Sequence, residues 1–146
     1  MRLEGKVALI SGGAHGVEGE LMGFGGASAR LFVQEGAKVV LGDIDVDNGE
    51  KTASQLRDAG YDALFVKLDV TIEQDWRSAI ETTVSNFGRL DIVVNNAGTG
   101  GPGNVEETTE DMWQSQMDVH AKGVFLGTKH AIPEMRKAGG GSIINI

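Results

Sequence analysis

The chain has 146 residues, a formal net charge of −8 and a hydrophobic content of 40%, which is ordinary for one globular domain. An acidic chain without a Lys or Arg cluster is a poor match for nucleic acids or anionic membranes, so we expect neither as a partner. Cysteine is absent and the histidines show no metal-ligand spacing, which predicts no metal site. The N-terminus has no long apolar run and no stretch reaches membrane-spanning length, so we expect a cytoplasmic location.

Short, nearly continuous apolar runs recur along the chain, which is typical of strands in a parallel sheet covered by helices on both faces. Helical patterns lie between them, and this alternation predicts an α/β fold with a doubly wound, three-layer parallel sheet of the Rossmann type. No linker divides the chain, so we expect residues 1–146 to form a single domain. The predicted strands cover residues 7–10, 39–41, 63–66, 92–94 and 143–144.

Capping patterns predict where the first three helices begin and end. The first helix is expected over residues 25–35, with a glycine directly after it as the C-terminal stop. Asp47 is the expected N-cap of the second helix. Thr71, with Gln74 three residues later, predicts a capping box at the start of the third.

The fourth helical pattern is long. It extends from Thr109 to about Arg136, with an apolar stripe that includes Trp113 and Met117. Pro133 is expected to end or bend this helix, because proline lacks the N–H that a helix interior uses.

A glycine-rich turn, Ser11-Gly12-Gly13-Ala14-His15-Gly16, follows the first strand. Such a turn lets backbone N–H groups approach a pyrophosphate, and the next helix adds a favourable dipole. Asp43 closes the second strand, where a carboxylate accepts hydrogen bonds from a ribose 2′-hydroxyl and repels a 2′-phosphate. No Lys or Arg accompanies either feature, which favours NAD over NADP. The alternatives are glycines that only form a tight turn, and an Asp43 that is a solvated acid or a helix cap.

These residues resemble the short-chain dehydrogenase/reductase family along the whole chain. Gly5–Ala14 looks like the family's first strand and turn, and Asn95-Asn96-Ala97-Gly98 matches its NNAG signature after strand four. Leu68-Asp69-Val70 is similar to the segment that meets the adenine, Gly123–Lys129 to the middle of the long fourth helix, and Gly141–Ile146 to the fifth strand. The resemblance implies an NAD-dependent oxidoreductase that moves a hydride between nicotinamide and an alcohol or carbonyl substrate. It also implies a homo-oligomer formed through the fourth helix.

The family's glycine pattern, Thr-Gly-x3-Gly-x-Gly, is interrupted here, because Glu18 stands at the last glycine position. Counting back from the first helix places the final pair at Gly23 and Gly25. An insertion of about seven residues within His15–Met22 reconciles both counts. Such an insertion is tolerated as an outward bulge, since lengthening a surface loop costs little entropy. The insertion either bulges outward or displaces the phosphate site, where Glu18 and Glu20 would repel a pyrophosphate. The cofactor-binding residues that the resemblance implies are Gly12, Gly13, Gly23, Phe24, Gly25, Asp43, Ile44, Asp69, Val70, Asn96, Ala97, Gly98 and Val119.

The catalytic residues of the family do not occur in this chain. In the family, a serine after the fifth strand and a Tyr-x3-Lys motif carry out acid–base catalysis beside the nicotinamide. The single tyrosine, Tyr61, precedes the NNAG segment and has Phe65 four residues later, and Ser142 lies too early. His120 stands where the family usually has Asn, so it either serves a proton relay or packs beside its apolar helical neighbours. We expect the chain to be the N-terminal part of the fold, truncated after the fifth strand and inactive alone.

Two other functions remain open from the sequence. The chain is alternatively a non-catalytic NAD-binding or dimerisation module without turnover. A methyltransferase that uses S-adenosylmethionine would also place Asp43 on a ribose, but Asn95-Asn96-Ala97-Gly98 argues against it.

Overall fold

The computed structural model describes residues 1–101 and 103–146, and five parallel strands form one sheet within them. The order across the sheet is β3-β2-β1-β4-β5, and each neighbouring pair is parallel. This confirms the predicted doubly wound sheet, whose strand order reverses between β1 and β4. The strands are β1 (Val7–Ser11), β2 (Lys38–Asp43), β3 (Ala63–Lys67), β4 (Ile92–Asn95) and β5 (Ser142–Asn145).

Helices cover both faces of the sheet and give the fold its three layers. They are α1 (Phe24–Gln34), α2 (Val46–Asp58), α3 (Glu73–Phe87), α4 (Glu110–Met117) and α5 (Gly123–Lys137). On one face α1 and α2 bury Val33 and Leu56 against the strands. On the other face α3 and α5 bury Trp76 and Leu126. None of these helices is long and apolar enough to cross a membrane, as far as the described residues go.

The N-cap of the second helix lies two residues before the predicted one. Asp45 is the N-cap of α2, and its side chain accepts a hydrogen bond from the N–H of Asn48 at 3.2 Å. Asp47, the predicted cap, lies in the first turn of the helix, where its charge favours the N-terminal dipole. Both aspartates suit a helix start, and the turn out of β2 decides between them.

The capping box predicted for the third helix does not form. The helix begins at Glu73, and its N-cap Ile72 has no side-chain cap. The hydroxyl of Thr71 donates instead to Asp69 at 2.7 Å. Thr71 therefore stabilises the turn that leads into α3 rather than the helix itself.

The predicted long fourth helix is two helices joined by a π-helical turn. Thr109 caps α4 as its predicted start requires, accepting from the N–H of Met112 at 3.2 Å. The π-helical turn occupies Asp118–Lys122, and α5 continues from it. The prediction that Pro133 ends or bends the helix is wrong as to the end, because Pro133 lies inside α5 on its exposed side. Water can satisfy the carbonyl that the missing N–H frees there.

Candidate functional site

A cavity of about 610 Å³ opens at the carboxyl edge of the sheet, where the strand order reverses. Open α/β sheets bind ligands in this crevice. The predicted cofactor-binding residues line the cavity, with the exceptions of Gly13 and Gly25. The wall also includes His15, Asp45, Leu68, Thr71 and Thr99, which were not among the predicted site residues.

Gly12 and Gly13 form the tight turn after β1, and their N–H groups donate hydrogen bonds to the protein's own backbone. Both N–H groups donate to the carbonyl oxygen of Gly42, at 2.8 and 3.2 Å. Gly12 has a φ of +69°, and a Cβ there would lie 2.8 Å from Nδ2 of Asn96. A Cβ on Gly13 would meet the Leu41 side chain at 3.1 Å. These N–H groups hold β1 to β2, so the groups available to a pyrophosphate lie elsewhere.

The N-terminus of α1 supplies such groups. Its N-cap, Gly23, offers no side-chain cap, and the first turn contains no acidic residue. The first N–H groups of a helix have no intrahelical partner, and the helix dipole favours an anion beside them. Gly23 and Phe24 line the cavity, while Gly25 packs so tightly on the carbonyl of Gly12 that a Cβ would collide. This helix end is therefore suited to hold a phosphate group.

Residues 16–22 leave the glycine turn as a loop directed toward α2, which we call the excursion loop. The N–H of Gly23 donates to the carbonyl of His15 at 2.9 Å and closes the base of the loop. One hydrogen bond thus joins His15 to the residue just before α1, and the loop lies outside this connection. This geometry agrees with an insertion that bulges outward.

The two carboxylates of the excursion loop point away from the cavity. Glu18 pairs with Arg30 of α1 at 3.6 Å, and Glu20 pairs with Lys51 of α2 at 2.7 Å. Neither glutamate lines the cavity. Of the two alternatives for the insertion, the structure therefore shows the one that keeps both glutamates out of the cavity wall.

Asp43 ends β2 with its carboxylate at the cavity wall. Its Oδ2 accepts from the N–H of Ala14 and its Oδ1 from the N–H of Asp45, both at 3.0 Å. Each carboxylate oxygen has a second lone pair, so both can still accept from a ligand hydroxyl. Hydrogen bonds from the side chain and N–H of Asn48 lower the pKa of Asp45, and His15, 3.7 Å away, adds to the shift. The wall here is anionic.

Asn96 fastens the turn after β4 to the turn after β1. Its Nδ2 donates to the carbonyls of Ser11 and Gly12 at 2.9 and 3.1 Å. The Ser11 hydroxyl oxygen accepts from the N–H groups of Asn96 and Ala97, each at 3.1 Å. Asn96 therefore has a structural role at this edge of the sheet, beside its place in the cavity wall.

Asp69 lies in the cavity wall just after β3. Its Oδ1 accepts from both the N–H and the hydroxyl of Thr71, at 2.9 and 2.7 Å. Its own N–H donates to Asp75 at 2.9 Å. These contacts fix the orientation of the carboxylate, and its predicted contact with an adenine stays a prediction.

His120 lies on the π-helical turn and contacts the loop that follows β4. Its Nε2 is 2.8 Å from the carbonyl oxygen and 3.2 Å from the amide nitrogen of Thr99. The ring also covers Gly98, where a Cβ would lie 2.8 Å from Cε1. His120 is exposed and does not line the cavity, although Val119 beside it does. The histidine therefore holds a loop at the cavity mouth, a contact that neither alternative from the sequence included.

A family model described as short chain dehydrogenase matches residues 6–146, which is nearly the whole chain. The chain belongs to the short-chain dehydrogenase family. A 2,5-dichloro-2,5-cyclohexadiene-1,4-diol dehydrogenase from Sphingobium indicum is 46% identical over 99% of this chain and 55% of its own length. A 3-alpha-(or 20-beta)-hydroxysteroid dehydrogenase from Mycobacterium tuberculosis is 46% identical over 99% of this chain and 52% of its own.

A third relative, the trans-4-hydroxycyclohexanecarboxylate dehydrogenase of Sinomonas cyclohexanicum, is 42% identical over 99% of this chain and 55% of its own length. The chain thus spans about half the length of the curated relatives it matches. All three relatives are dehydrogenases by name.

Three of the wall residues that escaped prediction in this member of the short-chain dehydrogenase family had a signal in the sequence, and His15 had none. Asp45, Thr71 and Thr99 follow predicted site residues by one or two positions, and loops that leave one sheet edge share one crevice. His15 was assigned to the insertion, and only the hydrogen bond at the base of the loop brings it to the wall.

Tyr61 lies at the amino ends of the strands, whereas the cavity lies at their carboxyl ends. It lies two residues before β3, and its N–H donates to the carbonyl of Leu56 at 3.0 Å. The cavity follows the carboxyl ends of the strands, so Tyr61 is far from it in the topology. This placement agrees with the sequence argument that Tyr61 is not the family's catalytic tyrosine.

Proposed function

We propose that this chain is the NAD-binding part of a short-chain dehydrogenase that oxidises alcohols or reduces carbonyl compounds. The observation that carries the proposal is the carboxylate of Asp43 in the wall of the cavity, at the end of β2. A carboxylate there accepts from a ribose 2′-hydroxyl and repels a 2′-phosphate. Among the described residues, no Lys or Arg lines the cavity to offset that repulsion.

The residues present suit an adenine dinucleotide along the length of the cavity. The end of α1 at Gly23 and Phe24 would bind the diphosphate, and Asp69 with Val70 would bind the adenine. When bound, the nicotinamide supplies the hydride acceptor or donor. The chain's own residues bind and orient it, and Val119 and Ala97 give that part of the wall an apolar surface.

The names of the relatives support a hydroxyl group on a ring as the substrate. One is named for a cyclohexadiene diol, one for a hydroxysteroid and one for a hydroxycyclohexanecarboxylate. We therefore propose cyclic secondary alcohols as the first substrates to test. We further propose that this chain alone does not catalyse the reaction. Its Tyr61 lies at the amino ends of the strands, away from the cavity, and no lysine lines the described wall.

We also propose a homo-oligomer formed through α4 and α5. Large apolar side chains remain exposed on this helical run, including Trp113 at 56% and Phe125 at 58%. Large exposed apolar side chains on a helical run that the resemblance implies is an interface support an interaction surface there.

Fluorescence titration of the chain with NADH and NADPH tests the cofactor assignment. We expect NADH to bind and NADPH to bind at least about tenfold more weakly, since a 2′-phosphate would meet a carboxylate. Failure of both dinucleotides to bind folded protein would overturn the proposal. NADH binding without turnover of an alcohol panel would favour the binding module, and displacement of NADH by S-adenosylmethionine would favour a methyltransferase.

A further inference from the structure

Side chains from two neighbouring helices hold the backbone of the excursion loop (residues 16–22). Its base lies at the cavity wall, because His15 and Gly23 both line the cavity and are joined by a hydrogen bond. A shift of the loop would therefore move the wall. The contacts that hold the loop therefore also hold the wall of the proposed cofactor site in place.

Thr52 of α2 is the central contact. Its side chain is 0% exposed, and its hydroxyl both donates to the carbonyl of Ala14 and accepts from the N–H of Gly16, at 3.2 Å. One buried hydroxyl thus donates to the backbone just before the loop and accepts from the backbone at its first residue. The N–H of Ala14 donates to Asp43, so a single residue, Ala14, connects Thr52 to the carboxylate proposed to bind the ribose.

Gln55 and Arg30 continue the same support. Oε1 of Gln55 accepts from the N–H of Glu18 at 3.1 Å and from the Arg30 guanidinium at 2.8 Å. The Nε–H of Arg30 donates to the carbonyl of Gly16. Arg30 also pairs with the Glu18 carboxylate, which keeps that charge on the helix side of the loop.

We propose that Thr52, Gln55 and Arg30 are positioning residues for the dinucleotide site. They act from the helix side of the chain: α2 and α1 hold the excursion loop, and the loop holds the base at His15 and Gly23. Loss of these contacts would loosen the wall. Without the Thr52 hydroxyl, the N–H of Gly16 and the carbonyl of Ala14 would keep only their hydrogen bond to each other, at 3.1 Å, and removing one partner of a buried polar group is costly. The inference rests on the proposed NAD site but concerns residues that do not line the cavity.

Thr52→Val is the first test. Valine keeps the shape and removes the hydroxyl, so we expect NADH affinity by calorimetry to fall about tenfold, as loss of a buried hydrogen-bond partner predicts. Thr52→Ser keeps the hydroxyl and should restore most of the affinity. Thr83→Val is the matched control, because Thr83 is also 0% exposed but donates only within α3, to Ala79.

Amide hydrogen exchange provides a readout that needs no cofactor. The N–H of Gly16 should exchange faster in Thr52→Val than in the wild type or in Thr83→Val. Equal exchange rates would overturn the proposed support. Equal NADH affinity of Thr52→Val and Thr52→Ser would overturn its coupling to the site.

The two proposals fail in different ways. A wild type that binds no dinucleotide refutes the NAD assignment, while the exchange comparison still decides the role of Thr52. Should Thr52→Val fail to fold, Gln55→Met decides instead, since it removes the oxygen that accepts from Glu18 and Arg30. It should then accelerate exchange at Glu18 and weaken NADH binding, and no change in either would refute the proposal.

Discussion

Asp43 illustrates how one residue serves both the fold and the cavity. Its two oxygens accept the N–H groups of Ala14 and Asp45, so the carboxylate is oriented before any ligand arrives. Preorganisation of this kind lowers the cost of binding. The sequence identified the residue by its place at the end of a strand, and the structure adds what orients it.

We predict that Asp43→Asn weakens NADH binding about tenfold, because hydrogen bonds to a charged acceptor are worth more than those to an amide. The same change should strengthen NADPH binding, since it removes the charge that opposes a 2′-phosphate. Parallel calorimetric titrations with both dinucleotides measure the two effects. Asp47→Asn is the control, because Asp47 is exposed on α2 outside the cavity. An unchanged preference in Asp43→Asn would contradict the role of this carboxylate.

Gly127 of α5 is a second residue whose place depends on its neighbours. A Cβ there would collide with Oδ1 of Asn95 and lie 2.7 Å from the ring of Trp76. We predict that Gly127→Ala lowers the free energy of unfolding by about 2 kcal/mol, because overpacking outweighs the helix preference of alanine. Urea denaturation measures it, with Gly100→Ala as the control, since nothing lies within 4 Å of a Cβ at Gly100. Equal stability of the two variants would refute the packing argument.

At the scale of elements, the run from α4 to α5 shows what helical periodicity misses. A π-helical turn at Asp118–Lys122 shifts the register between the two helices. It places Val119 in the cavity wall and His120 against Thr99. Such turns are frequent at functional sites, and here the turn brings the helical run to the mouth of the cavity.

Glu73 links the start of α3 to α5. Its Oε1 lies 2.8 Å from both Nζ of Lys129 and Nε2 of His130. The hydrogen bond from Lys129, then that from His130, lower the pKa of Glu73 from its ordinary 4.5 to about 2, and Arg77 adds to this. Because folding lowers this pKa, the stabilisation is complete above pH 4.5 and is lost as pH falls toward 2.

We therefore predict that Glu73→Gln destabilises the chain at pH 7 and that the difference from the wild type shrinks between pH 4.5 and 2. Urea midpoints across this range measure it. Glu81→Gln is the matched control, because Glu81 is exposed on the same helix and has no ion pair among the described residues. A destabilisation that does not change with pH would show that the charge of Glu73 is not what matters.

At the scale of the whole molecule, each of the two helical layers has an exposed apolar side chain. Substituting one at a time therefore tests which layer forms the interface. Phe125 lies on α5, and Leu31, 61% exposed, lies on α1 across the sheet. If the chain assembles through α4 and α5, Phe125→Glu should shift the sedimentation coefficient to that of a monomer. Leu31→Glu should leave the oligomer intact. A monomeric wild type, or dissociation by Leu31→Glu alone, would contradict assembly through this layer.

Local patterns in the sequence determined much of this protein. The apolar runs locate all five strands, and the acid at the end of β2 and the NNAG segment after β4 mark the ligand edge of the sheet. These features follow from short-range rules, because a strand buried on both faces must be apolar and a turn after it needs small residues. The family resemblance, now confirmed by the matching family model, rests on the same segments.

Only the tertiary structure decided which groups meet. Both Asp45 and Asp47 could cap α2, and both glutamates of the excursion loop could have faced the cavity. The turn out of β2 decided the cap, and the direction of the glutamates depended on Arg30 and on Lys51, which is distant from the loop in sequence. Sequence spacing carries the propensity of a segment, but the partner of a charge or of a buried N–H is set by the packing of α1 and α2 on the sheet.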